Sequence, residues 1–401
     1  MKTLFYLIIV SLSFSQSGLS GFQMDNWVKE NSLSPFILGR GNTGIGAYQK
    51  NQINEKNTAF WYNLTRTFYG INITSKYNNI TKRDNNGTLS STKLGSLFWV
   101  SSVLDSTLSV GVYANNLYEN SSRTTDAFKQ TIPLKDSVET LEGFRSLDKI
   151  GNINQIKFGA SYKPFTNLSF GLDAIIFYGN QLKTERTSFE SALNGHKSLI
   201  EQNINYFGGS AGISMGYVSS NNTLSLGAYF YPQVTLSARG KTDLKLSGWQ
   251  NNREQTITVD DFIVPQRIGF GTEYKTRMGS FFLDTELIGK TTYTNASNSF
   301  SVGYQSIPSR QVFESVFKRS TYSLGAYYHT ENFKLNNNDV VNYGISAGMS
   351  IPFNFNLNQL SLGLSYGKRG SVSENGISEN VFKFSIGLSV GEFWYIAPDE
   401  D

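Results

Sequence analysis

Near its carboxyl end the chain alternates with a period of two. In Leu360–Gly367 the apolar positions are Leu360, Leu362, Leu364 and Tyr366, separated by Ser361, Gly363, Ser365 and Gly367. In Phe382–Val390 they are Phe382, Phe384, Ile386, Leu388 and Val390, set against Lys383, Ser385, Gly387 and Ser389. Successive side chains of a β-strand point to opposite faces, so each stretch predicts a strand with one apolar and one small or polar face. Such a strand suits the inside of a soluble sandwich or the lipid-facing wall of a membrane barrel. Length and number decide between these. The same pattern predicts fourteen strands: Phe68–Asn79, Thr92–Leu104, Thr107–Glu119, Ile150–Lys163, Asn167–Leu182, Gln202–Ser219, Thr223–Ala238, Ile263–Thr276, Ser280–Tyr293, Phe300–Ile307, Phe317–Phe333, Val340–Phe353, Gln359–Gly370 and Asn380–Ile396. Most run about 12–17 residues, whereas strands of soluble sheets usually have about 5–6.

The connections alternate as well. Tight links at Asp105–Ser106, Pro164–Thr166, Ser220–Asn222, Arg277–Gly279 and Asn354–Asn358 contrast with long polar segments at Asn120–Lys149, Lys183–Glu201 and Arg239–Phe262. Short turns on one side and long loops on the other are the mark of an outer-membrane barrel. Phe300–Ile307 is the weakest strand, and Thr242–Trp249 competes with it. Only Phe300–Ile307 gives an even count and keeps the later turns on the turn side. The fold expected is therefore all-β: a transmembrane antiparallel β-barrel of about fourteen strands. Leu360, Leu362, Leu364, Phe382, Phe384, Ile386 and Leu388 should face lipid, and lysine should be tolerated better at Ser361 or Ser385 than among them.

Ahead of the strands, Gly21–Thr65 has no clean period and is rich in Gly, Asn and aromatics. An irregular segment of that length is usually disordered or packed inside something, and here the following strands are able to close around it as a plug. The chain then divides into 1–20, a signal peptide, 21–66, the plug, and 67–401, the barrel. Lys2 and the apolar run Leu4–Phe14 have the form of an export signal, with small residues permitting cleavage before Gln16 or before Gly21. That run is too short to span a bilayer as a helix, which takes about 20 residues.

Composition alters this picture little. A mean hydropathy of −0.29 looks soluble, but only every second residue of a barrel strand meets lipid, which dilutes the average. The net charge of +4 is spread along the chain without a basic cluster, so nucleic acid is not an expected partner. The absence of cysteine excludes disulfides, thiolate metal sites, a Cys nucleophile and a lipid-modified amino-terminal Cys. Aromatics near strand ends (Tyr162, Phe230, Tyr231, Tyr274, Phe393, Trp394 and Tyr395) suit interfacial girdles.

His196 and His329 are the two histidines. No local motif pairs either with a nucleophile, and both read as solvated or girdle residues. No enzyme activity, cofactor or metal is expected. Gly39, Gly41, Gly44 and Gly46 lack the Lys-Ser/Thr and following helix of a phosphate loop; they suit a plug backbone running close to the wall. Extrapolated alternation points Asp173, Glu273, Asp284, Glu286, Lys157 and Lys383 into the lumen. Lumen water solvates such acids, or Arg40 pairs with them from the plug; the inward lysines could instead receive a substrate carboxylate.

Gly21-Phe22-Gln23-Met24 followed by Leu38-Gly39-Arg40-Gly41-Asn42-Thr43-Gly44-Ile45-Gly46-Ala47 resembles the start of FadL-type long-chain fatty-acid transporters. Thr58-Ala59-Phe60-Trp61-Tyr62-Asn63 is similar to the family's next segment, although Leu64-Thr65 replaces its usual Pro-Ala. Val264-Pro265 leading into Gly269–Tyr274, and the closing strands, add to the resemblance, which covers about a fifth of the chain in motif. It implies a monomeric fourteen-stranded barrel in the outer membrane of a Gram-negative bacterium, surrounded by lipid. An amino-terminal hatch with Gly39, Arg40, Gly41, Gly44, Gly46, Phe60 and Asn63 as plug or gate residues would close it. It further implies passive uptake of hydrophobic small molecules such as long-chain fatty acids or aromatic hydrocarbons. Phe128, Leu134, Leu141 and Phe144 of the first long loop would offer an apolar way in. The alternatives are a barrel anchor or component of an envelope secretion or attachment assembly, and a general porin. A tunnel past the plug favours transport, and a solidly filled lumen favours the anchor.

Overall fold

The computed structural model describes residues 27–30, 34–49, 52–82, 85–104, 106–134, 137–190, 197–246, 253–292, 294–309, 311, 313–353 and 358–392. The expected signal segment, the start of the plug, His196, and Phe393, Trp394 and Tyr395 lie outside these residues.

Fourteen antiparallel strands form one closed ring. They are β1 (Thr67–Lys82), β2 (Asn85–Leu104), β3 (Leu108–Leu134), β4 (Ser137–Tyr162), β5 (Leu168–Glu190), β6 (Lys197–Val218), β7 (Leu224–Tyr231 continued by Val234–Leu246) and β8 (Arg253–Ile257, Phe262–Val264 and Arg267–Lys275). The ring continues through β9 (Gly279–Ile288), β10 (Ser297–Ser306), β11 (Thr321–Leu335), β12 (Asn338–Phe353), β13 (Asn358–Arg369) and β14 (Ser378–Glu392). Each pairs with its neighbour in sequence, and β14 closes on β1 from Ser378–Thr81 to Glu392–Thr67. No sheet edge is left in the lipid zone, which is what a bilayer demands of a β-protein. Each predicted strand corresponds to one of these, Phe300–Ile307 among them.

β7 and β8 break at the same level. Tyr231 pairs with Arg267 and Val234 with Val264, so Pro232-Gln233 and Pro265-Gln266 face each other. Proline has no N–H to donate to a ladder, so two of them across one pair interrupt it. The ladder to β6 is interrupted there too, resuming at Phe207–Ser237 beyond Ile213–Phe230.

The expected long loops are in large part strand. β3 and β4 stay paired from Leu108–Tyr162 to Leu134–Ser137, and β5 and β6 pair out to Ser188–Lys197. At about 3.3 Å per residue the β3–β4 hairpin is roughly 90 Å long, far more than a bilayer crossing needs. Its polar outer half therefore continues the ladder in water. The apolar way in assigned to a loop at Phe128–Phe144 is not a loop, and Phe144 is an exposed strand residue. At the opposite end, Phe317 belongs to a short helix, Val316–Arg319, that precedes β11.

The faces alternate as the pattern requires. Leu364, Tyr366, Phe382, Phe384, Ile386 and Leu388 are exposed on the outside while Ser361, Ser365, Lys383 and Ser385 are buried inside. The outer wall continues through Leu172, Ile213, Leu283, Leu324 and Ile345. Two expectations change. Tyr231 is not in a girdle but turns into the lumen, where its hydroxyl donates to Asp173 (2.8 Å). Ser385 is 0% exposed and hydrogen-bonds Thr74 (2.9 Å), so lysine there meets a packed interior and is not the milder substitution. Leu364→Lys, at mid-strand on the lipid face, should cost roughly 2–4 kcal/mol. Denaturant unfolding of the parent and variant in lipid vesicles reads this directly, and an unchanged midpoint would place Leu364 outside the hydrocarbon zone.

Candidate functional site: the plugged lumen

Residues 34–49 and 52–64 lie inside the ring, most of them buried. Helix α1 (Pro35–Gly39) opens with proline at its first turn, where no N–H is needed, and buries Pro35, Ile37 and Leu38. It ends in a reversal through Gly41 (φ 69°) and Asn42 (φ 66°). A Cβ on Gly41 would lie 2.7 Å from the backbone of Ala326. Glycine is thus required there for both conformation and space. Gly39 and Gly46 likewise abut the wall, at Gly348 and Gly271, but Gly44 has room for a side chain. Gly44 contributes through its N–H instead.

The asparagines staple the irregular stretch. Asn54 Nδ2 donates to the carbonyls of Gly44 (2.7 Å) and Ala47 (2.9 Å), and Asn57 Nδ2 to that of Ile45 (3.0 Å). The Asn57 side chain also caps the 3₁₀ helix Thr58–Asn63 by accepting from Ala59 N–H (3.0 Å). Within that helix Trp61 is fully buried and donates from Nε1 to Asn54 O (2.7 Å). Phe60 packs with Tyr62 and Val218. Asn63 is buried, and its Nδ2 has no hydrogen-bond partner.

All six inferred lumen charges face inward and are buried. Asp284 accepts the N–H groups of Gly44 (2.7 Å) and Ile45 (2.9 Å) and lies 3.5 Å from Lys56. Glu273 accepts Tyr48 N–H (2.7 Å). Asp173 accepts the hydroxyls of Thr58 (2.7 Å) and Tyr231, with Lys157 at 4.0 Å. Glu286 pairs with Lys29. Arg40 is not their partner: among the described residues it makes no ion pair. Its Nη1 donates to Gln305 (3.2 Å), and its guanidinium lies 4.1 Å from the Phe36 ring centre and 4.5 Å from that of Phe282. Burial lowers its pKa to about 10, with Glu273 and Asp284 opposing, so it stays cationic at neutral pH. Plug backbone N–H groups and lysines, not Arg40, satisfy the wall acids.

Lys383 belongs to a second centre missed by sequence reasoning. Val28–Lys29 adds a short strand to β3 at Glu119 and Tyr118, where β3 has parted from β2. This brings Glu30 to 3.1 Å from Lys93, 3.5 Å from Lys76 and 3.5 Å from Lys383. Glu119 lies 3.3 Å from Lys93. Burial opposes ionisation of Glu30, but Lys93, Lys383 and Lys76 outweigh it and hold its carboxyl well below the usual range. Above this, Arg369 pairs with Glu331 (2.9 Å) and Glu379 (3.5 Å), and His329 lies 3.6 Å from Glu331. His329 is therefore a buried lumen residue, not a girdle one. Alternation around Ile73 and Tyr77 was enough to send Lys76 inward; nothing local linked it to Glu30.

Two spaces remain. A central cavity of about 110 Å³ is lined largely by charged and hydroxyl side chains, including Lys29, Glu55, Lys157, Arg267, Glu286 and His329. A second, of about 260 Å³, lies towards the end opposite the start of β1 and the end of β14 and is walled by Trp27, Ile204, Tyr206, Val259, Phe262 and Phe333. Trp27 meets Phe262 (5.2 Å) and Tyr206 (5.7 Å) ring to ring. An open general pore does not fit a lumen filled in this way.

A closed fourteen-stranded barrel stoppered by its own amino-terminal segment defines the class: the chain has the fold of the FadL-type outer-membrane channels. It is similar to the crystal structure of a Pseudomonas aeruginosa FadL homologue, at 10% identity and a TM-score of 0.60, over 91% of this chain and 99% of that one. It is similar to the Pseudomonas putida toluene transporter TodX (12% identity, 90% of this chain and 98% of that one, TM-score 0.57). It is also similar to the Ralstonia pickettii toluene transporter TbuX (12%, 90% and 98%, 0.52). No curated protein matches it in sequence. The sequence profile of the family described as BamG matches residues 40–398, and the chain belongs to that family.

Glu30→Gln removes the charge on which three buried lysines converge. Breaking such a centre typically costs about 3–5 kcal/mol where it is dry, and less where lumen water reaches it. Limited proteolysis should cut the segment before Ser34 faster, and leak conductance in planar bilayers should rise. Lys334→Gln, at the exposed Lys334–Asp339 pair, is the control and should change neither. If Glu30→Gln behaves as the control does, backbone pairing to β3 alone holds this arm.

Proposed function

We propose that the protein is an outer-membrane channel, closed at rest, that takes small hydrophobic molecules into the aromatic pocket beneath its outer end. The observation that carries this reading is the pocket itself. Trp27, Tyr206, Phe262 and Phe333 form a largely apolar space of about 260 Å³ bordered by Asp260, Asp261 and Asn332. Apolar walls with few polar groups are the usual make-up of a small-molecule site. The pocket stands directly on the plug, since Trp27 is a wall residue and also begins the arm that Glu30 anchors. A ligand pushing against Trp27 therefore acts on the segment that closes the lumen. Two of the fold neighbours are named as toluene transporters, and a single-ring aromatic is of a size this pocket accommodates. Residues 21–66 serve as the hatch in this reading, and passage through it is passive.

A second reading has an observation of its own. Below the aromatic pocket the lumen is filled by the plug, and the central cavity of about 110 Å³ is edged by charges, a poor path for a hydrocarbon. That favours a barrel that stays shut and acts as an anchor or component of an envelope assembly. The two readings diverge in one comparison. Under the channel reading, mass spectrometry after mild-detergent purification should find bound hydrophobic small molecules. Toluene should also bind saturably by calorimetry, and Phe262→Ala should weaken it about tenfold, or about 1.4 kcal/mol. An empty pocket with no saturable toluene binding, together with outer-membrane assembly defects on deletion, would instead establish the anchor.

A further inference from the structure

Arg267 is the lumen cation that neither reading uses. It is 7% exposed, yet its guanidinium has no hydrogen bond or ion pair among the described residues, and its Nε is an orphan donor. Among the described residues it lies over the ring of Tyr231, 4.8 Å from Cζ, and interacts electrostatically with Glu286, which Lys29 already pairs. The neighbouring cations are engaged: Lys29 with Glu286, Lys56 with Asp284 and the Asn42 carbonyl, and Lys157 with the Thr58 hydroxyl (3.2 Å). Arg40 also lacks an ion pair among the described residues but is packed between two rings and lines neither of the two cavities. Arg267 does border one, the central cavity, together with Lys29, Lys56 and Lys157 on the cationic side and Glu30, Glu55 and Glu286 on the acidic side. Glu30 already answers three lysines of its own and Glu286 answers Lys29, so no described acid forms an ion pair with Arg267.

A buried guanidinium without an acceptor is costly, and water relieves its hydrogen bonding without supplying counter-charge. We propose that the central cavity beside Arg267 is a binding site for a compact inorganic oxyanion of the size and charge of sulfate or phosphate. The planar fork of arginine matches two oxygens of such an ion, and Ser299, Ser301 and Asn42 on the same lining can complete its shell. A volume of about 110 Å³ leaves no berth for the tail of an amphiphile. The site also lies beside a break in the barrel's ladder. Arg267 follows the Pro265-Gln266 break, at the level where β7 and β8 interrupt their ladder together. An anion held there ties β8 to the plug lysines across the cavity.

The test uses the purified full chain in detergent, with sodium chloride replaced stepwise by sodium sulfate at constant ionic strength. The parent should show a saturable rise in melting temperature and saturable heat on calorimetric titration. Arg267→Gln should lose at least tenfold in affinity while keeping the gel mobility of a folded barrel, and Arg267→Lys should retain part of it. A parent without saturation, or an Arg267→Gln variant that responds like the parent, overturns the proposal. Should the Gln variant fail to fold, crystals of the parent grown in selenate decide the matter. An anomalous peak is expected within about 4 Å of the guanidinium, the reach of an ion pair; its absence from the lumen overturns the site.

Discussion

Fourteen tilted strands enclose more space than their own inward side chains can fill, since barrel width grows with strand number and eight strands are already enough to leave room for one small ligand. Every second residue of every strand must face something in that space. Here it faces the chain's own first segment, and the rest of the structure depends on that contact. Asp284, Glu273 and Asp173 are wall acids whose acceptors meet the N–H groups of Gly44, Ile45 and Tyr48 and the hydroxyl of Thr58. An irregular segment has no ladder to satisfy its backbone, and buried carboxylates have no water to satisfy theirs. Each solves the other's problem.

The charges are sorted by height. Near the turn side, backbone donors and Lys56 meet the acids of β8 and β9. Higher up, Glu30 meets lysines of β1, β2 and β14, and Arg369 of β13 meets Glu331 and Glu379. Above these the lining turns aromatic around Trp27. This gradient from ionic to apolar makes the outer pocket hospitable to a hydrophobic ligand and the middle of the barrel hostile to it. In the channel reading passage requires the plug to move, and the Glu30 centre is among the contacts such a movement would break.

Arg40 shows how a sound rule picks a wrong partner. Inward acids do need counter-charges, and the plug does supply them. The supply comes from Lys29 and Lys56, while Arg40 is turned between Phe36 and Phe282. A guanidinium is weakly hydrated and stacks on rings, so an aromatic slot competes well with a carboxylate for it. Which of several plug cations reaches which acid depends on the path of an aperiodic backbone, and no periodicity describes that path.

Alternation was enough to establish the strands, their number, the lipid face of β13 and β14, and the inward set Asp173, Glu273, Asp284, Glu286, Lys157 and Lys383. A strand's two faces are set by a fixed period of two, and lipid on one side leaves no freedom in which face turns out. The sequence also marked Gly39, Gly41 and Gly46 as points of close approach. Polar composition misled at Asn120–Lys149, because a hairpin that outgrows the bilayer keeps its ladder while its side chains turn hydrophilic. The tertiary structure alone decided the meeting of Glu30 with Lys76, Lys93 and Lys383. These contacts join positions from 46 to more than 350 residues apart, brought together by barrel closure and plug insertion, and no local pattern records them.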